Sequence, residues 1–194
     1  MLRENLYKKL NYTTALREHR GAAADWVMQN PGSFKFLFEL ILKEDSEVSH
    51  KAAWVLEFVC IRNMELLLPH LKDFLEIIPQ VKKNQAKRPL AKLAELLCLA
   101  YYKKKDPQVL NNLRLEYRKA ITEQCFDWLI NEEKVACKAY SIQSLYWLGT
   151  EFDWIHPELE IILADGYSKH TAAFKARARE FLSKIERYRT KNRP

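Results

Sequence analysis

Apolar positions recur with a helical period along almost the whole chain, and the pattern itself recurs at longer intervals. Val48, Ala52, Val55, Leu56 and Val59 form one stripe at about 3.6 residues per turn. Leu90, Leu93, Ala94 and Leu97 form the same stripe when Ala86 is laid on Val48, an interval of 38 residues. Val135 opens a third copy 49 residues later and Phe174 a fourth after another 39. A fainter copy places Ala23, Trp26 and Val27 in the core slots. Lys51, Lys138 and Arg177 fall at one repeat position, where the second copy has Pro89. A fixed period of this length predicts a stack of helix pairs. Its inner helices are expected at about 13–29, 46–62, 85–104, 132–148 and 171–188.

Local punctuation sets the expected boundaries. Ser46 is a candidate N-cap with Glu47 in the first turn, and Thr13 or Thr14 can cap the helix ending at Gln29. Asn30-Pro31-Gly32 is a stop, and Ser33 is a candidate cap for the next helix. An outer helix is expected from Met64 to Ile78, closed by Pro79. Pro89 is placed near a first turn, where a missing N–H costs least. Asp106-Pro107 reads as a break and Asn111-Asn112 as irregular; Asn131 can cap a helix ending at Gly149. The last helix is expected to fray from Arg189.

The stretch from Asp45 resembles the inner helix of HEAT repeats, which commonly reads Asp-x-x-Val-Arg-x-x-Ala-Ala-x-x-Leu. Asp45, Val48, Ala52, Ala53 and Leu56 match, and Ser49 stands where Arg is usual. Lys87 and Lys175 restore a base at that slot, whereas Ala136 does not. The resemblance implies an all-α, right-handed α-α superhelix, a HEAT- or armadillo-like solenoid of helix pairs with an Asp–Arg ladder that this chain only partly keeps. The runs Ala52–Cys60, Cys125–Trp128, Glu133–Ala136 and Ala173–Arg179 further resemble a family of small bacterial helical-repeat proteins. Some of its members carry the label adenylosuccinate lyase. That superfamily uses a Gly-Ser-Ser-x-Met-Pro-x-Lys-x-Asn loop, and this chain has no Ser-Ser pair and four glycines in all. Lyase activity is therefore not expected.

Composition narrows the class further. At 194 residues, with 48% hydrophobic and 29% charged positions, the chain is read as one domain, 1–194, able to bury its own core. Glycine poverty argues against turn-rich sheet folds. No apolar run spans a membrane and no signal peptide opens the sequence, so a cytoplasmic location is expected. Cys60, Cys98, Cys125 and Cys137 lack metal-ligand spacing and read as buried thiols. The five histidines show no His-x-x-x-His or His-Glu-x-x-His spacing, so no metal and no cofactor is expected.

The net charge of +7 is uneven: Lys82 to Lys105 holds eight bases against Glu95 alone. Within it, Lys82, Lys83, Lys87, Arg88 and Lys92 form a candidate surface for an anionic partner, since bases at a helix start oppose the macrodipole. Tyr101 to Lys105 mixes rings with bases, as single-strand binders do, or marks a helix C-terminus. A second candidate is an aromatic and acidic surface of Trp54, Asp127, Trp128, Trp147, Asp153 and Trp154, the pattern a repeat-type alkylpurine DNA glycosylase would need. The plainer reading of the tryptophans is packing between layers. Glu57 and Glu95 share one repeat position and are expected either as paired acids on the concave face or as its solvated edge. No catalytic residue is assigned. The function expected is a non-enzymatic interaction module for a protein partner, with nucleic acid as the alternative and the oligomeric state open.

Overall fold

In the computed structural model, residues 1–43, 47–166 and 171–192 are described. Eleven α-helices occur among them and no strand. They are α1 Leu2–Tyr12, α2 Arg17–Gln29, α3 Lys35–Ile41, α4 Val48–Arg62, α5 Leu71–Ile77 and α6 Asn84–Cys98. Then come α7 Pro107–Asn112, α8 Leu115–Ile130, α9 Val135–Leu148, α10 Ile155–Gly166 and α11 Ala172–Lys191. An inner layer runs α2, α4, α6, α9, α11, each packed on the next, which is the order the repeat predicts. Behind it α3, α5 and α8 form an outer row, and α10 packs on α9 and α11. Ala52, Ala53, Ala86, Ala91, Ala94 and Ala178 are buried between inner helices, where short side chains let the axes approach.

Several boundaries differ from expectation, each for a local reason. The expected outer helix 64–78 is broken into tight turns at Met64–Leu66 and Leu68–His70, then α5, then a turn at Ile78–Gln80. Pro69 and Pro79 cannot donate into a continuous ladder, and Asn63 Oδ1 draws in the Glu65 N–H instead. Helix α6 starts at Asn84, so Pro89 lies in its second turn and not its first. Its regular winding stops at Cys98; Leu99–Lys104 forms a wider π turn closed by Lys105 at φ 55°. Asp106 does not merely break the chain: its Oδ1 accepts from the Gln108 and Val109 N–H groups and caps α7, which includes Asn111 and Asn112. Asn131 belongs to the end of α8, donating to the Asp127 carbonyl, and α9 begins only at Val135. Neither Thr13 nor Thr14 is the N-cap of α2; Leu16 is, with its N–H held by Thr14 Oγ1. Ser33 does not cap α3 either, since its hydroxyl is buried without a partner. Helix α11 continues to Lys191, beyond the expected fraying at Arg189. The expected cap at Ser46 and the match at Asp45 lie outside the described residues.

Gly149 follows α9 in ordinary helical φ, so its role is space and not backbone freedom. A Cβ there would sit 2.2 Å from the His156 ring, whose Nε2–H donates to the Tyr146 carbonyl at 2.9 Å. Burial holds His156 below its ordinary pKa, although that hydrogen bond partly opposes the effect.

Candidate binding face on the inner layer

Three side chains at two positions of the repeat tie the layers together before any surface is considered. Ser49 Oγ donates to the Ile41 carbonyl at the end of α3, and Lys51 Nζ to the Asn11 carbonyl near the end of α1. Lys138 Nζ, on a residue only 4% exposed, donates to the Leu129 carbonyl near the end of α8 at 2.7 Å. A donor aimed at the last carbonyls of a helix satisfies orphan acceptors and suits the macrodipole. Burial lowers the pKa of Lys138, with Glu133 opposing that shift. The shared position of Lys51 and Lys138 is therefore a helix-end clamp between layers.

The opposite edge of the inner helices carries the charge. Glu57 and Glu95, at 5% and 2% exposure, are neither a solvated edge nor a pair of free acids. Arg88 clamps Glu57 with both nitrogens, at 2.6 and 3.3 Å, joining α6 to α4. Lys92 bonds Glu95 within α6, and Arg177 of α11 reaches the same carboxylate at 3.7 Å while donating to Gln143 of α9 at 2.6 Å. Lys87 pairs with Glu133 just before α9. Lys87, Arg88 and Lys92 of the candidate basic surface are thus engaged with buried or nearly buried carboxylates. Lys82 and Lys83 come just ahead of α6. The acids fix the bases in place, so a ladder between repeats exists, built mainly from Glu–Arg and Glu–Lys pairs, with one Asp–Arg pair, Asp25 with Arg62 at 2.5 Å, joining α2 to α4.

Rings are interleaved with these bases. Arg20 lies over Phe58 at 4.8 Å and over Trp54 at 5.7 Å, and Trp54 meets the His50 ring edge-on at 4.6 Å. Lys92 Nζ stands 4.8 Å over Tyr140, Arg177 4.6 Å and Lys184 Nζ 4.2 Å over Phe181. Two clefts open on this face. One, of about 410 Å³, lies over the first turns of α6 between Trp54 and Lys134, with Arg88 and Ala136 in its lining. The other, of about 260 Å³, lies among Leu99, Gln143, Trp147, Phe181 and Lys184. Sequence reasoning missed Arg20, Tyr140, Arg177 and Phe181 here. The signal was available in α6 and α9, because 88, 92, 95, 99 and 136, 140, 143, 147 are helical stripes next to the apolar ones.

The aromatic and acidic constellation is not assembled. Trp54 and Trp147 are on the inner face, but Trp128 is 3% exposed in the core of α8, and Asp127 faces solvent there. Trp154 stacks on Phe126 at 5.5 Å between α8 and α10, 55% exposed, beside an exposed Asp153. The Tyr101–Lys105 cluster is a helix end: Tyr102 bonds Glu151, and Arg118 covers Tyr101 at 4.5 Å. All four cysteines are free and buried, and burial raises every thiol pKa, to about 12 at Cys125. No group of three or more His, Cys, Asp or Glu suited to a metal ion occurs among the described residues, and none of their helices is long and apolar enough to cross a membrane.

A layered, all-helical stack whose inner edge is a ladder of ion pairs defines a helical-repeat scaffold. The chain belongs to the HEAT repeat domain family, whose model matches residues 6–185. No curated protein and no solved structure matches it. Scaffolds of this family often mediate protein interactions through the extended surface their repeats present.

Proposed function

We propose that the chain is a non-enzymatic binding module whose inner-layer face docks an extended anionic partner. The observation that supports this most is a row of bases along the inner layer: Arg88, Lys92 and Arg177 are held by buried carboxylates, and Arg20, Lys92 and Arg177 are set against rings. Bases anchored in this way lose little side-chain freedom when a partner arrives, which lowers the cost of binding. Lys103 and Lys134, both exposed at the clefts, add charge that the described acids do not neutralise. The same geometry speaks for binding over bond cleavage: Glu57 and Glu95 are occupied by Arg88, Lys92 and Arg177. A protein partner fits this reading when it offers an acidic stretch. The rim lysines Lys82 and Lys83 would extend the charged surface beyond α6.

The test is Lys103→Glu combined with Lys134→Glu, two exposed positions, with circular dichroism checking that the variant keeps its helix content. Wild type is expected to retain a polyanion at low salt, either polyglutamate or an oligonucleotide, and the variant to lose it. Retention of neither probe by wild type, or equal retention by both proteins, overturns the proposal.

A further inference from the structure

The two clefts repeat one chemistry at two places on one face. The larger has a tryptophan wall in Trp54, side-chain amides in Asn84 and Gln85, and bases in Arg88 and Lys134. The smaller has Trp147 beside Tyr146, the amide of Gln143, and bases in Lys103 and Lys184. Each therefore offers a ring to lie against, an amide that can donate and accept, and a pair of cations. We infer that they are successive subsites for a single-stranded nucleic acid, with bases lying on Trp54 and Trp147 and the backbone crossing Arg88, Lys92 and Arg177 between them. This rests on the inner face being the binding face, as proposed above.

Three observations favour this polymer over an acidic peptide. A carboxylate-rich chain calls for cations but has no use for a ring and an amide at each stop, whereas every nucleotide brings a planar polar ring together with an anion. The clefts, at about 410 and 260 Å³, suit single planar rings and not the paired edge of a duplex. The repeat also leaves room on purpose: where Lys87 and Lys175 fill the basic slot of their inner helices, α9 has exposed Ala136, and the larger cleft opens beside it.

The spacing is suitable as well. Arg88 on α6 and Leu99 at the start of the π turn that follows it line the two clefts and are eleven residues apart, or roughly 16 Å at the usual helical rise. A single strand covers that distance with a few nucleotides, within the roughly 4–16 that a compact single-strand binder engages. Lys92 and Arg177 share the one carboxylate of Glu95 on the way from one cleft to the other, so this stretch keeps an excess of base over acid around Glu95.

The experiment is fluorescence anisotropy with the full chain and five end-labelled probes: a twelve-nucleotide thymidine DNA, the uridine RNA of the same length, an abasic DNA of equal charge, the matching duplex, and polyglutamate. Both single strands are expected to bind, and comparison of the DNA with the RNA tells which backbone the site prefers. The abasic strand is expected to bind about tenfold or more weakly, the usual weight of a base on a ring. Trp54→Ala should weaken the thymidine strand by a similar factor, with Trp54→Phe restoring most of it. Lys103→Ala with Lys134→Ala should lower the log–log salt slope by about 1.4, at roughly 0.7 per lost phosphate contact on a single strand. Equal affinity for abasic and intact strands, or for duplex and single strand, overturns the inference. So does polyglutamate binding as tightly as the oligonucleotides; in that case the anionic binding face stands and its partner is an acidic peptide. Binding of none of the probes removes the binding face itself.

Discussion

The inner and outer layers solve the same packing problem with different residues. Inner helices meet through alanines and serines, Ala52 and Ala53 on α4, Ala91 and Ala94 on α6, Ser141 and Ser144 on α9, all buried. The outer layer from α3 to α5 is filled by rings, with Phe34, Phe38 and Phe74 buried around short, interrupted helices, whereas α8 of the same row is one regular helix. Small residues allow long, evenly stacked helices, and such helices can present a regular row of side chains on their free edge. Bulky residues tolerate irregular backbone, because a ring fills whatever space a broken helix leaves. Regularity and a charged edge go together on the inner layer, and filling and variation on the first half of the outer one.

Substitutions can test that contrast. The largest effect is expected from Phe74→Ala, because a fully buried ring on the outer layer leaves a void: a loss of about 3–5 kcal/mol in denaturant unfolding. A smaller loss would mean that the outer layer collapses readily. Ala52→Leu should cost about 1–3 kcal/mol by overpacking the inner stack. The partly exposed Ala139→Leu is the control, expected within about 0.5 kcal/mol of wild type. If both alanine variants unfold at the wild-type midpoint, close approach is not what holds the inner layer. Replacing Glu95 by Gln keeps shape and removes the charge that Lys92 and Arg177 share. A loss of roughly 1–2 kcal/mol is expected, reduced because both bases retain contact with water.

The smallest effect is a dependence on pH. His156 is buried, and its folded pKa lies below its ordinary 6.5. The folded state therefore binds fewer protons there than the unfolded chain. Its contribution is complete above pH 6.5 and is lost as pH falls toward the lowered value. His156→Gln, which can still donate to the Tyr146 carbonyl, should flatten the stability profile below pH 6.5. An unchanged slope in chemical denaturation would show that His156 is not the group responsible.

The inner layer was largely legible in the sequence, and the contrast explains why. Ala52, Leu56 and their counterparts sit in helices of 13 to 20 residues, long enough for the helical period to show in each copy. The outer layer was not, because Pro69 and Pro79 break a stretch whose apolar spacing alone reads as one helix. The charged edge was half legible. Lys87, Arg88 and Lys92 stand out as a basic run, but their carboxylate partners are distant in sequence: Glu57 lies 31 residues from Arg88, and Glu133 lies 46 from Lys87. Nothing local marks Glu57 or Glu95 as buried. Only the stacking of helices α4, α6, α9 and α11 reveals it.

A stack in which each helix touches only its neighbours behaves like a row of beads, and such a row can open from either end one unit at a time. The contact from Arg177 on α11 to Glu95 on α6 passes over α9. It links next-nearest members, and the donation to Gln143 enrols the helix between them. Peeling α11 away therefore also removes a counter-charge from α6, two places inward. The carboxy-terminal three inner helices are thus tied to one another by a single side chain, and fraying at that end has to break a contact two helices deep.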